Sequence, residues 1–373
     1  MSRYDVAIIG AGMTGASIAA ELAPHRKVVL LEAEPQPGYH ATGRSAAFWS
    51  ETYGGPWVQP LTSASGPLLA RPPMEFSETG FLNPRGEINI GRREDRSALD
   101  AFAAEFKGSG IALDWLDRDG IDARFDGFKP EWSSGIAIES CADIDVAALH
   151  HAYLRMARRH GAELQCNAKV RALSRIGHGW QIDTAQGNFE ADMIVNAAGA
   201  WADQVGALAG AELLGILPYR RTMLQVRLDR AVSLTVPLII DISGGFYFKS
   251  DGAGGLWLSP HDESPSLPMD AAPEEIDMAL AIARFEDATT MKVVAVTHKW
   301  AGLRSFAPDR LPVYGFDPKI AGLYWCAGQG GFGIQTAPAA AKLAASQILG
   351  SKADPMIASL DPKRYSPRRF TSA

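Results

Sequence analysis

The sequence predicts a mixed α/β fold in which a Rossmann-like dinucleotide-binding domain carries an inserted, β-sheet-based substrate domain. Three observations predict it. A glycine-rich turn, Gly10-Ala11-Gly12-Met13-Thr14-Gly15, joins a short apolar strand to an Ala-rich helix at the start of the chain. An acid, Glu32, ends the next apolar strand. Short β patterns then alternate with helices until a last strand meets a second glycine turn, Gly328-Gln329-Gly330-Gly331-Phe332-Gly333.

Each element has a physical reason. Asp5–Ile9 reads as a buried strand, followed by a helix to about Ala23 and a strand over Lys27–Leu31. Gly10 permits a sharp turn, Gly12 lets backbone approach a pyrophosphate, and Gly15 lets helix pack on strand. The helix N-terminus around Thr14 offers unpaired N–H groups to phosphate oxygens. Glu32, next to Ala33, is placed to accept the hydroxyls of an adenosine ribose, where a 2′-phosphate would be repelled. Residues 36–85 are rich in Gly, Pro, Ser and aromatics and read as ligand-covering loops. A strand follows over Gly86–Ile90 and a helix near Ser97–Phe106. Asp145 reads as the N-cap of a helix whose Val146, Leu149, Tyr153 and Met156 share one face.

Further β segments are expected at Glu163–Cys166, Val170–Ile176 and Trp180–Thr184. A buried strand over Met193–Asn196 runs into Ala197-Ala198-Gly199-Ala200-Trp201. A second β-rich region covers about 216–298. It has strands at Arg221–Arg227, Gly245–Lys249, Leu256–Leu258 and Met291–His298 and a helix near Glu274–Asp287. Leu323–Ala327 is the last strand and Ala337–Leu349 the last helix. The domain reading is 1–84, 141–215 and 299–373 for the cofactor unit, with 85–140 and 216–298 forming the substrate unit.

Composition narrows the function. A formal charge of −6 does not suggest a nucleic-acid partner. Three scattered cysteines make neither a disulfide framework nor a metal cage, so no metal is expected. No apolar run is long enough to span a bilayer, and the first strand begins too early to leave room for a signal peptide. The expected location is cytoplasmic, with peripheral association at a membrane left open.

Glu32 and the first glycines fit NAD and FAD equally. Two features favour FAD: the small and hydroxylated stretch Gly38–Ala47, and the Gly328–Gln335 loop, which together hold a long ligand from both ends of the chain. These stretches, with Asn196–Trp201, Trp300–Phe306, Gln329–Thr336 and the Ser366–Arg369 tail, resemble the FAD-dependent D-amino-acid oxidase (DAO) superfamily. Within it they are similar to bacterial D-arginine dehydrogenases. The resemblance implies a fold of the glutathione-reductase-2/DAO type and non-covalent FAD. It places Thr42, Gly43, Arg44, Ser45, Ala46, Ala47, Val170, Ala198, Gly199, Trp201, Gly302, Gly330, Gly331, Phe332, Gly333, Ile334 and Gln335 among the cofactor contacts.

Dehydrogenation of an amino acid at a flavin needs a pinned carboxylate, a Cα–H aimed at flavin N5 and a neutral nitrogen. Arginine fixes a carboxylate bidentately. Arg304 and Arg221 are the candidates; strand alternation sends Arg220 and Arg221 to opposite faces, and only the resemblance selects Arg221. Glu87 shares a strand face with Asn89, and the resemblance has it pair with a cationic substrate side chain. Tyr53 resembles a lid tyrosine, Tyr247 points away from Phe246 and Phe248 with its hydroxyl toward a carboxylate, and Gln335 is placed to bond flavin or substrate. Phe48 departs from the pattern, which has a histidine there near the substrate amine. His298 reads as an ordinary core or surface histidine.

The expected activity is oxidative deamination of a D-amino acid, basic or broad in range, to an imino acid that water converts to a 2-oxo acid and ammonia. Oxidation of a secondary amine of the sarcosine or glycine type, or of a 2-hydroxy acid, stays open. So does a role as a flavin-bearing subunit of a larger electron-transfer complex. The electron acceptor is also open, with a quinone or redox partner ahead of O2.

Overall fold

Alternation decides the first sheet. In the strand Arg3–Ile9, Val6 and Ile8 enter one apolar core while Ala7 and Ile9 enter another, as a strand buried on both faces requires. The computed structural model describes residues 3–370. Met1 and Ser2, at the approach to this strand, and residues 371–373 lie outside the described residues. Val28–Leu31 pairs parallel on one side of Arg3–Ile9 and Gly187–Asn196 on the other. Glu163–Gln165 adds outside Val28–Leu31, and Leu323–Ala327 adds beside the end of Gly187–Asn196. Val170–Ile176 and Gly179–Thr184 extend the sheet in antiparallel sense.

The helices Met13–Leu22, Gln59–Ala70, Val146–Arg159 and Ala337–Leu349 share the core that holds Val6 and Ile8. The expected cap is present, with Asp145 accepting from Ala148 N at 2.9 Å. Crossover helices on a parallel sheet, with ligand loops at its carboxyl edge, define a Rossmann-like architecture.

The second sheet is built around a long antiparallel pair, Leu217–Leu228 with Val293–Phe306, in which Tyr219 lies opposite Arg304 and Arg221 opposite Gly302. Leu256–Ser259, Tyr247–Ser250, Leu238–Asp241 and Glu87–Arg92 continue it in that order. One face packs Leu224, Phe246 and Phe248 against Ala281 and Phe285 of the helix Glu275–Ala288. The other turns Met223 and Tyr247 toward Ala46 of the glycine-rich loop. A small sheet of Phe48–Trp49, Leu82–Pro84 and Ala142–Ile144 joins the loop region to the rest.

Two local expectations are corrected. Residues 36–85 are not all loop, because Gln59–Ala70 is a helix despite Pro60, Gly66 and Pro67. Pro60 falls in the first turn, where no intrahelical N–H is needed. Gly66 is required by packing: a methyl there would lie 2.8 Å from the Trp49 ring. The polar residues that hid the helix are buried and bonded, with Trp49 Nε1 donating to the Thr62 carbonyl and Ala339 N to Ser65 Oγ. Second, Val293–Phe306 is longer than the expected Met291–His298, because pairing with Leu217–Leu228 carries it through the arginine-bearing segment. Its outer half is open to solvent, and His298 is exposed there against Trp300.

Candidate active site

The glycine turn is a steric requirement. Gly10 adopts φ +100°, and a methyl on it would lie 2.5 Å from the Ala197 carbonyl oxygen. A methyl on Gly15 would lie 1.9 Å from the Gly10 carbonyl oxygen, so only glycine lets this helix reach this strand. Gly12 precedes the helix without a side-chain cap, and the first turn has no acidic residue. That end is left positive for an anion. Thr42 Oγ1 accepts from Met13 N at 2.9 Å and so pins the Gly38–Ala47 loop to the helix start. Beneath the turn, His150 bonds the Ala11 carbonyl at 2.9 Å, and burial holds its imidazole below the usual range.

A cleft of about 340 Å³ runs along this edge. Gly10, Gly12, Thr14, Glu32, Ala33 and Val170 line one stretch of it. Thr42, Arg44, Ser45, Ala198, Gly199 and Trp201 line the middle, and Gly302, Gly330, Gly331, Gly333 and Ile334 the far end. Buried Glu32 accepts from Ala11 N at 2.8 Å and Glu34 N at 3.0 Å, which fixes its carboxylate on the cleft wall. A long, glycine-walled cleft with an acid at one end and a helix N-terminus between is shaped for a dinucleotide, and FAD fits these residues. Arg44 reaches across to the second sheet, donating to the carbonyls of Ala271 (2.9 Å) and Ala301 (3.2 Å) and pairing with Asp270.

At its far end the cleft meets a second cavity of about 20 Å³, room for about one water. Ala46, Ala47, Phe48, Tyr53, Tyr247 and Gln335 wall it, and Ser45, Arg304, Gly331 and Ile334 are common to both spaces. Arg304 is the distinctive group. It is 7% exposed, yet among the described residues its guanidinium has no hydrogen-bond or ion-pair partner. A buried unpaired cation beside a cavity is a place for an anion. Tyr53 packs edge-on to Phe48 at 5.1 Å and rests its hydroxyl over Gly331, where no side chain could stand. Ala47 takes φ +49°, strained for a residue with a Cβ, and its carbonyl accepts from Ile144 N at 3.1 Å and Lys249 Nζ at 3.4 Å.

Other expected site residues stand elsewhere. Arg221 lines neither space. It is buried and occupied, donating to the Asp262 carbonyl at 2.7 Å and Glu263 at 3.2 Å, with its guanidinium 5.9 Å from the Tyr247 ring centre. Arg220 faces the other way and pairs with Asp277 and Glu274, so the alternation reading holds. Tyr247 bonds Met223 Sδ at 3.0 Å and meets His261 edge-on; burial, then Arg221 and Arg284, push that imidazole down to about 3. Gln335 spends its amide on protein: it accepts from Ser50 N at 3.1 Å and donates to the Tyr53 carbonyl (3.1 Å) and Thr62 Oγ1 (2.9 Å). Phe332 packs with Val58 and Phe306 rather than on the cleft, and neither Gly15, inside the first helix, nor Gly43, whose N–H bonds the Gly38 carbonyl, lines it.

Glu87 is buried and lines neither space. Its Oε1 accepts from Asn89 at 2.7 Å and Thr52 at 3.4 Å, and its Oε2 has no partner. Burial raises its pKa, opposed by bonds from Ser50, Asn89, Cys141 and Thr52. Sequence reasoning missed His40, Lys169, Met269, Ala271 and Leu303 on the cleft. His40 and Leu303 sit inside stretches already singled out. Met269 and Ala271 arrive on a segment with no motif, carried there by the Arg44–Asp270 contact.

Residues 5–347 match the family described as FAD dependent oxidoreductase, DAO, and the chain belongs to that family. Its cofactor is FAD. The chain is 27% identical to a glycine oxidase of Geobacillus kaustophilus, over 93% of each. It is 26% identical to the mitochondrial dimethylglycine dehydrogenase of Rattus norvegicus over 97% of this chain, but spans only 45% of that protein's length. The crystal structure of a Geobacillus kaustophilus glycine oxidase superposes with a TM-score of 0.86, covering 100% of both chains at 24% identity. An L-proline dehydrogenase from P. horikoshii superposes at 0.85, with 20% identity over 99% of this chain and 98% of that one. No helix among the described residues is long and apolar enough to cross a membrane.

Proposed function

We propose that the protein dehydrogenates a small α-amino acid bound as its carboxylate, a D-amino acid first, to an imino acid that water converts to a 2-oxo acid and ammonia. The observation that carries this reading is the buried, partnerless guanidinium of Arg304 at the junction of the FAD cleft and the small cavity. FAD bound in the cleft supplies the acceptor for the hydride that leaves Cα. The chain's own residues do the rest. Arg304 holds the carboxylate in a planar pair, while Tyr53 and Tyr247 present hydroxyl-bearing rings to the same space. Ala46, Ala47, Phe48 and Ile334 keep water out. No carboxylate or imidazole lines the small cavity among the described residues. The nearby positive charge of Arg304 favours the neutral amine over the ammonium, the state hydride loss needs.

The D configuration rests on the resemblance of the Thr42–Ala47 and Trp300–Phe306 stretches. Of the two ranges expected, basic or broad, the placement of Glu87 off both cavity walls supports the one that does not require a cationic side chain. The same resemblance supports non-covalent FAD, held by 1–84, 141–215 and 299–373 beneath a substrate unit of 85–140 and 216–298. A second reading, oxidation of glycine or an N-methylated glycine, draws support from the names of the relatives and from the tightness of the cavity. Anaerobic mixing with D- and L-amino acids, glycine, sarcosine, dimethylglycine and 2-hydroxy acids, read by loss of flavin absorbance, separates them. Bleaching by small D-amino acids supports the first reading and bleaching by glycines alone the second. Bleaching only by hydroxy acids, or by none, overturns both.

A further inference from the structure

We propose that Phe48 sets the substrate range of this protein by walling the Glu87 carboxylate off from the substrate cavity. The inference deepens the amino-acid reading above and rests on it. Phe48 has two surroundings. One side of it lines the small cavity with Arg304, Tyr53 and Tyr247. The other packs into the apolar cluster that contains Cys141 and Leu238. Those two residues are also neighbours of Glu87: Cys141 lies close enough to feel its charge, and Leu238 is its in-register partner in the next strand. One aromatic side chain thus belongs both to the wall of the substrate space and to the packing around the neighbours of a buried acid.

The acid itself is incompletely satisfied. Its hydrogen-bonding neighbours, Asn89 and Thr52, are both neutral, and among the described residues Oε2 has no partner. The nearby cation Lys249 is bound to Asp143 at 2.6 Å. A buried carboxyl group without a cation is stabilised by any cationic group that can reach it. A guanidinium or ammonium at the far end of a substrate has that chemistry, but Phe48 stands on the cavity wall that it would have to pass. Removing the ring would open a path from the cavity toward the Glu87 carboxyl group. Specificity here is a steric exclusion laid over an attractive site.

The test uses ligands that cannot be oxidised, so it does not depend on turnover. The FAD-loaded protein is titrated with pentanoate and with 4-guanidinobutyrate, each read by the shift in flavin absorbance. Both carry the carboxylate for Arg304, but neither carries an α-amine. The wild type is expected to bind pentanoate better. Phe48→Ala is expected to bind 4-guanidinobutyrate about tenfold or more tighter than the wild type does, and Phe48→Ala with Glu87→Gln to lose that gain. Phe48→Leu, which keeps apolar bulk and flavin, guards against loss of fold and is expected to shift in the same direction by less. Three results each overturn the proposal: a wild type that already prefers the guanidinium ligand, no gain in either Phe48 variant, or a gain that survives Glu87→Gln. If the wild type binds both carboxylates weakly and no amino acid bleaches its flavin, the amino-acid reading fails instead.

Discussion

The long cleft and the small cavity at its end are walled by different things. The cleft is rich in backbone: glycines and alanines brought close by the turn at Gly10–Gly15 and the loop after Gly328, among side chains such as Arg44 and Trp201, with Glu32 as its one buried acid. The small cavity is made mainly of side chains from five segments, around 46, 53, 247, 304 and 334. Backbone walls suit a ligand recognised by shape and phosphate. Side-chain walls suit a ligand recognised by charge, size and orientation, and there one substitution changes the outcome. The same contrast separates two arginines on adjacent strands. Arg304 is buried and unpaired, while Arg221, one turn of the ladder away, is buried and already bound to Asp262 and Glu263.

The largest effect is expected where backbone meets backbone. Gly15→Ala puts a methyl 1.9 Å from a carbonyl oxygen, so the purified protein should lack flavin and melt far below the wild type. Gly12→Ala meets only Thr42 Oγ1, at 3.2 Å, and should fold while holding FAD less tightly. Flavin absorbance and thermal melting check both. In the cavity, Arg304→Met should lower kcat/KM by about 10³-fold, the ~4 kcal/mol of a truncated buried charge pair. Arg221→Met should lower it by about tenfold, because it releases the Asp262–Glu263 segment rather than the substrate. Equal losses would erase the distinction between the two arginines.

Gln335→Leu removes the partners of the Ser50 N–H and the Tyr53 carbonyl, so it should cost about 1–3 kcal/mol of stability, read by denaturant unfolding with FAD in excess. The smallest effect concerns Glu87, whose pKa is raised on folding by burial. Between its unfolded and folded pKa the native state binds a proton that the unfolded state does not, so stability falls as pH rises through that window. Glu87→Gln should therefore raise the melting temperature at alkaline pH and leave it little changed near pH 4. A variant less stable at high pH would show that the ionised carboxylate is stabilised by a partner.

Local chemistry made the first sheet legible. Each glycine of the turn, the acid at Glu32 and the Asp145 cap follow from short-range geometry, and the structure places them as the sequence implies. The helix Gln59–Ala70 was hidden because its buried face is polar, satisfied by Trp49 and Ala339 from far along the chain. Within the site, the alternation of Arg220 with Arg221 could be read from strand period, whereas Arg304 was singled out by the resemblance, the expected strand having stopped at His298. The occupation of Arg221, Gln335 and Glu87 by protein partners could not, since those partners lie on segments whose approach no local pattern encodes.

The most direct measurement is the affinity of propionate, a carboxylate without an amine, for the FAD-loaded protein and for Arg304→Met, read by perturbation of the flavin spectrum. Binding should weaken about 100-fold in the variant while flavin content stays intact. Equal affinity in the two proteins would contradict Arg304 as the group that holds the substrate carboxylate.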